Sequence, residues 1–177
     1  YLICNGEIYN HTKLREEHFF VTNSSSDCEV ILHLYLLYGI EKTCQLLDGV
    51  FSFVLYDDTR KTVYVARDPY GVRPLFMGET LEGEYFFSSE MKAIHDKCIH
   101  IKQFDVGSYL EFNNDYFMIK KYHKTNFKIN KFQPEEFILS CIRNKLTNAV
   151  KKRLLSDRPI GALLSGGLDS SLVCGII

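Results

Sequence analysis

A chain of 177 residues has room for one domain or two small ones, and 46% hydrophobic residues with 14% aromatic are ample for packed cores. A formal net charge of −1 gives no polybasic surface, which argues against nucleic acid and an anionic membrane as partners and leaves small charged substrates open. The longest apolar runs, such as Val30 to Tyr38, are too short and interrupted to span a bilayer.

In chain order, Tyr1-Leu2-Ile3-Cys4 reads as a strand and Asn5-Gly6-Glu7-Ile8-Tyr9-Asn10 as a sharp turn, because Asn-Gly favours positive φ. A short helix is expected over His11 to His18. The stretch Asn5 to Glu7 has two readings. It is a turn at a strand end, or it is a site where an amide, a glycine N–H and a carboxylate hold an oxyanion and an ammonium. Ser24-Ser25-Ser26-Asp27 offers helix caps, and Val30, Ile31, Leu34, Leu37 and Tyr38 recur in helical order over Glu29 to Tyr38. Gly39 is placed to end that helix, and a second runs from Ile40 to Leu47. Asp27 is by default a cap, and becomes a ligand for substrate only if the helix start faces the same cleft as Glu7.

The period then changes to two. Val50 to Tyr56 and Thr62 to Ala66 predict a hairpin about a turn at residues 57–61. Proline and glycine punctuate Arg67 to Phe76 before another short strand. Tyr85 to Phe87 reads as a strand, Glu90 to Ile94 as a helical turn, and Ser108 to Phe112 with Tyr116 to Tyr122 as a second antiparallel hairpin. Antiparallel sheets with helices make this portion α+β. A linker is expected over residues 123–133. Beyond Pro134, the residues Phe137, Ile138, Cys141, Ile142, Leu146, Ala149, Val150 and Leu154 trace one helical face. A strand at Ile160 to Leu164 and a helix from Ser170 then open an α/β unit.

Between that strand and helix lies Ser165-Gly166-Gly167-Leu168-Asp169-Ser170-Ser171. Adjacent glycines let backbone approach a ligand, and a helix N-terminus presents unpaired N–H groups to it. There is no G-x-x-x-x-G-K-[ST] and no lysine in the loop, so this is not a Walker loop. Serine hydroxyls and the Asp169 carboxylate suit a pyrophosphate cradle with a bridging Mg2+. A Gly-Gly turn capped by Ser and Asp is the other reading.

Cys4, Cys28, Cys44, Cys98, Cys141 and Cys174 are scattered without a CxxC pair, each in or beside an apolar stretch, which fits a reducing, cytoplasmic setting. His95, Cys98 and His100 lack a fourth ligand at zinc spacing and are read as a surface loop. The chain opens inside a strand and stops inside a helix, so both ends are expected to be cuts in a longer protein.

Three signatures, NGEIYN at Asn5 to Asn10, RDPYGVRPLF at Arg67 to Phe76 and LLSGGLDSS at Leu163 to Ser171, resemble the glutamine-hydrolysing asparagine synthetases. The resemblance covers nearly the whole chain. It implies a class II glutamine amidotransferase domain over residues 1–123, an α+β N-terminal-nucleophile hydrolase-like antiparallel sandwich. It also implies the start of an α/β PP-loop domain, adenine nucleotide alpha hydrolase-like, over residues 134–177. In that family an N-terminal cysteine cleaves glutamine through a thioester, using its own α-amino group as proton acceptor. The ammonia passes inside the protein to an aspartyl adenylate made from aspartate and ATP, giving asparagine, AMP and pyrophosphate.

Carried over by position, the resemblance makes the Asn5 side chain and the Gly6 N–H oxyanion donors. Glu7 and Asp27 become holders of glutamine's α-amino group. Leu164 is a nucleotide contact, Ser165, Gly166, Gly167, Leu168, Asp169 and Ser170 form the pyrophosphate cradle, and Asp169 is a magnesium ligand. Implied substrates are glutamine, aspartate and ATP, with Mg2+ as cofactor and a homodimer left open. The nucleophilic cysteine and the arginine for glutamine's carboxylate would lie before Tyr1, and Cys4, internal and without a free amine, is rejected as a substitute. The chain alone is expected to be inactive. A β-lactam synthetase-like enzyme and a non-catalytic paralogue are the alternatives.

Overall fold

The computed structural model describes residues 1–127 and 132–177, arranged as two compact units, Tyr1–Thr125 and Asn126–Ile177. In the first unit, β1 (Leu2–Ile8) leads to α1 (His11–His18) and α2 (Glu29–Leu46), and these to the hairpin of β2 (Gly49–Asp57) and β3 (Thr62–Arg67). Then come β4 (Phe76–Glu79), β5 (Tyr85–Ser88), a 3-10 turn at Met91–Ala93, β6 (His100–Gln103), β7 (Ser108–Phe112) and β8 (Phe117–Lys121). One sheet has the order β1-β2-β3-β7-β8 and the other β5-β4-β6, with every pairing antiparallel.

Alternation along the strands gives the larger sheet two apolar faces. Phe51, Phe53 and Leu55 of β2 pack with Leu14 of α1 and with Val30, Ile31 and Leu34 of α2. On the opposite face, Val65 and Leu110 join Leu75, Met77 and Phe104 beneath the smaller sheet. Helices, large sheet and small sheet are therefore successive layers. Gly39 breaks α2 at φ 74°, where the sequence predicts one helix ending and another beginning.

Two expectations are corrected within this unit. Asn5 to Glu7 do not turn: they continue β1, opposite Ser52, Phe51 and Val50, and the chain reverses only after Ile8. Ladder pairing outweighs the local Asn-Gly preference, and Gly6 is needed for closeness, since a Cβ there would lie 2.5 Å from the Val50 carbonyl oxygen. His100, read as part of a loop, begins β6 and pairs with Glu79. Among the described residues no group of three or more His, Cys, Asp and Glu is placed to hold a metal ion.

In the second unit, α3 (Glu135–Lys152) starts directly after Pro134, and α4 (Leu168–Ile176) follows the glycine pair. The strand expected at Ile160 to Leu164 does not form. Extended backbone becomes a strand only beside a partner, and this unit has no strand among its described residues. The linker expected over residues 123–133 is described only in part, because residues 128–131 lie outside the described residues. No helix among the described residues is long and apolar enough to cross a membrane.

Candidate functional site

The far end of β1 gathers the polar groups of the first unit. Leu2, Cys4, Gly6 and Ile8 face the helical layer, so Asn5 and Glu7 project from the opposite face, toward the smaller sheet and its connections. Asn5 Nδ2 donates to Ser89 Oγ at 3.0 Å, just beyond β5. Arg73 Nη2 lies 3.3 Å from Glu7 Oε1. Cys4 thus points away from the face that carries Asn5 and Glu7.

The backbone of β1 has its own direction. Tyr1 and Tyr9 bond across to Tyr56 and Asp48 on the β2 side. By the two-residue repeat, the N–H groups of even-numbered residues point to the outer edge. Ile8 does so, donating to Asp27 Oδ2 at 2.6 Å, and the Gly6 N–H faces the same edge. Among the described residues no strand pairs with that edge. An amide N–H, a carboxylate and the side chains of Asn5 and Glu7 therefore cluster within one strand end. That is a set able to accept an anionic oxygen and a cation side by side.

Asp27 reaches this edge because it is not a cap. The residue preceding α2 is Cys28, and no side chain caps that helix. Glu29, in the first turn, instead folds the preceding segment back. It accepts the N–H of Asn23 at 2.7 Å, the N–H of Ser24 at 2.8 Å and the Ser24 hydroxyl at 2.5 Å. These bonds push the Glu29 carboxyl down to about 2. His11 lies nearby: burial and then the Arg15 charge hold its imidazole below the usual value, against an opposing pull from Asp27. Its Nδ1 is buried without a partner.

The connection from Arg67 to Leu75 fixes Arg73. The buried Asp68 carboxylate accepts the N–H groups of Tyr70, Val72, Arg73 and Phe51 at 3.0 to 3.3 Å. Buried Arg67 donates to the carbonyls of Arg73, Phe104 and Gly71 at 2.8 to 2.9 Å. Gly71 has φ 65°, and a Cβ there would meet Val106 at 2.5 Å and the Arg67 guanidinium at 2.9 Å. Two charged residues wholly engaged with backbone make this loop rigid. The sequence marks the loop through its Arg-Asp-Pro and Gly, but gives no role to Arg73 or Ser89, whose neighbours are 66 and 84 positions away.

In the second unit, Ser165 to Gly167 lead into α4, and Leu168 to Ser170 form its first turn. Gly166 has φ 80°, with open space where a side chain would stand. Ser165 Oγ and Ser170 Oγ are 2.8 Å apart, and the Ser170 hydroxyl also reaches the Gly167 carbonyl at 3.1 Å. The Ser171 N–H closes the first helical bond onto Gly167, leaving the amides of Leu168, Asp169 and Ser170 unpaired within the helix. Asp169 sits in that first turn, and Leu164 is exposed just upstream. Amides and hydroxyls converging on an open glycine turn fit an anion.

The family model described as a glutamine amidotransferase domain matches residues 1–151, and that described as asparagine synthase matches residues 141–177. A probable glutamine-hydrolyzing asparagine synthetase of Dictyostelium discoideum is 44% identical over 99% of this chain, which covers 33% of that protein. Glutamine-hydrolyzing asparagine synthetase 1 of Arabidopsis thaliana is 43% identical over 97% of the chain and 29% of its own length. The chain thus spans about a third of the curated relatives it matches. A solved glutamine phosphoribosylpyrophosphate amidotransferase from B. subtilis, complexed with ADP and GMP, superposes with a TM-score of 0.62 at 26% identity. That superposition covers 70% of this chain and 29% of the other. The first unit is accordingly an α+β, N-terminal-nucleophile hydrolase-like antiparallel sandwich.

Proposed function

We propose that this chain, which belongs to the glutamine amidotransferase domain family, binds glutamine at the end of β1 and serves an enzyme that makes asparagine from aspartate with glutamine's nitrogen. The carrying observation is the grouping of the Gly6 N–H, the Asn5 amide and the Glu7 and Asp27 carboxylates around one strand end. Asn5 and Gly6 donate to the oxygen of the side-chain amide, whose negative charge grows when the carbonyl is attacked. Glu7 and Asp27 hold the substrate's ammonium. Cys4 takes no part in attack: its amine is a peptide nitrogen, and its side chain lies on the other face of β1.

We assign residues 1–123 to this glutamine-handling domain and residues 134–177 to the beginning of an ATP-using one. The amides at the start of α4 and the hydroxyls of Ser165 and Ser170 would cradle the pyrophosphate portion of ATP, with Leu164 beside the nucleotide. Asp169 would hold Mg2+, which neutralises phosphate charge next to an otherwise repelling carboxylate. ATP there would supply the adenylyl group that turns a carboxylate of aspartate into a good leaving site, releasing pyrophosphate.

The chain itself should hydrolyse no glutamine, since its residues offer an oxyanion site and ammonium ligands but no nucleophile on the face of β1 that carries Asn5 and Glu7. Glutamine titrated into isotopically labelled chain should shift the backbone resonances of Gly6, Glu7 and Asp27, with glutamate and asparagine giving smaller effects. Shifts confined to other residues, or equal for all three amino acids, would overturn the assignment.

A further inference from the structure

Cys4 and Cys28 stand together at the β1 edge although neither takes part in the chemistry above. Cys4 lies on the helix-facing side of β1, and Cys28 is the residue that precedes α2. Cys28 Sγ is 3.9 Å from the carbonyl oxygen of Gly6, the next residue after Cys4 on the same face of the strand. Both thiols are half-buried and both line a cavity of about 390 Å3 shared with Leu2, Asn23, Ser24 and Glu29. We propose that Cys4 and Cys28 form a reversible disulfide, a redox-modification site built into the edge of β1.

The electrostatics divide the two roles. The Cys28 thiol lowers the pKa of Cys4 more than burial and the Asp27 charge raise it, and Arg73 adds to the lowering. Cys28 itself is pushed up, first by Cys4 and then by burial. Cys4 is therefore the nucleophile and Cys28 the thiol that resolves it. Cys44, by contrast, is buried and pushed up by that burial.

With hydrogen peroxide as oxidant, the Cys4 thiolate attacks one oxygen and the O–O bond breaks. The departing hydroxide takes up a proton to become water and leaves a sulfenic acid on Cys4. Cys28 sulfur then attacks Cys4 sulfur, the S–O bond breaks, and the leaving hydroxide combines with the Cys28 proton as a second water. Two thiols lose two protons and two electrons in all, and one peroxide becomes two waters. Closing this bond draws Cys28 from the Gly6 carbonyl toward Cys4 and displaces the adjoining Asp27 from Ile8. That consequence for glutamine rests on the function proposed above, whereas the disulfide does not.

The purified chain, treated with increasing peroxide, alkylated and mapped by mass spectrometry, distinguishes the two. The first oxidised species should be lighter by two hydrogens, carry a Cys4–Cys28 cross-linked peptide, and revert with dithiothreitol. Cys28→Ser should stop at a sulfenic acid on Cys4 that dimedone traps, and Cys4→Ser should leave Cys28 reduced. Prior oxidation of Cys44 or Cys98, or Cys4 oxidation without a cross-link in the unaltered chain, would overturn the proposal. In a parallel glutamine titration, the oxidised chain should lose the shifts at Gly6 and Asp27. If the reduced chain shows none, the glutamine assignment fails while the mapped disulfide stands. If both forms shift equally, the disulfide is not a switch on that site.

Discussion

Glu7 and Arg73, 66 residues apart, meet at 3.3 Å between Oε1 and Nη2, joining the exposed face of β1 to the loop before β4. Their side chains are 57% and 34% exposed, so solvent screens the pair and its effect on stability is small. Arg73→Gln should change the unfolding free energy by at most about 1 kcal/mol in urea titrations. The pair's value lies in placing Glu7. Glu7→Gln, which keeps shape but removes charge, should weaken glutamine binding by about 1.5–3 kcal/mol, measured by calorimetry. Unchanged affinity would remove Glu7 from the site.

Arg67 behaves in the opposite way. It is buried and gives three hydrogen bonds to backbone carbonyls, so truncation strands those carbonyls in the interior. Arg67→Met should lower stability by roughly 3–5 kcal/mol, the low end of about 1–3 kcal/mol for each of the stranded carbonyls. Thermal unfolding followed by circular dichroism would report it, and a loss below about 1 kcal/mol would show that the loop holds without the guanidinium.

Gly6→Ala should damage the strand itself. The new Cβ would meet the Val50 carbonyl at 2.5 Å and Phe51 Cα at 2.8 Å, both backbone-linked atoms that cannot swing away. A cost of about 1–3 kcal/mol is expected from forced separation of β1 and β2. Faster amide exchange at Ile3, Asn5 and Glu7, whose N–H groups face β2, is the signature, because a purely local clash would leave Ile3 protected.

The segment from Asn23 to Ser26 should loosen in acid. Glu29 is held at about 2 in the folded chain by bonds to Ser24 and Asn23, against about 4.3 when unfolded. A depressed carboxyl contributes its stabilisation fully above the unfolded value and loses it as pH falls toward 2. Amide exchange at Asn23 and Ser24, relative to its intrinsic rate, should therefore become faster as pH falls from about 4.3 to 2. Glu29→Gln should show that faster exchange already at neutral pH.

Asp169→Asn should remove the Mg2+ dependence of ATP binding without affecting glutamine. The carboxylate is in the first turn of α4, and the asparagine keeps the hydrogen-bonding shape without the charge that a hard cation needs. Calorimetric titrations of ATP with and without Mg2+ should converge for the variant. A persistent difference would assign the metal to other residues.

Much of the fold is legible in the chain because its periods are clean. Val50 to Tyr56 with Thr62 to Ala66 alternate at two, Val30 to Tyr38 repeat at helical spacing, and Gly39 marks the break between helices. The chemical types at Asn5, Gly6, Glu7 and Asp27 are legible too, since an amide, a small residue and carboxylates state what they can bind. The local sequence could not tell that Asn5 to Glu7 stay in β1, because pairing with Val50 to Ser52 is a long-range interaction that outweighs an Asn-Gly turn preference. Nor could it tell that Ile160 to Leu164 would remain unpaired, since a strand depends on its neighbour. Arg73, Ser89 and the joining of Cys4 to Cys28 belong wholly to tertiary structure: residues 24 to 84 positions apart become neighbours only when two sheets and a helix end close on the edge of β1.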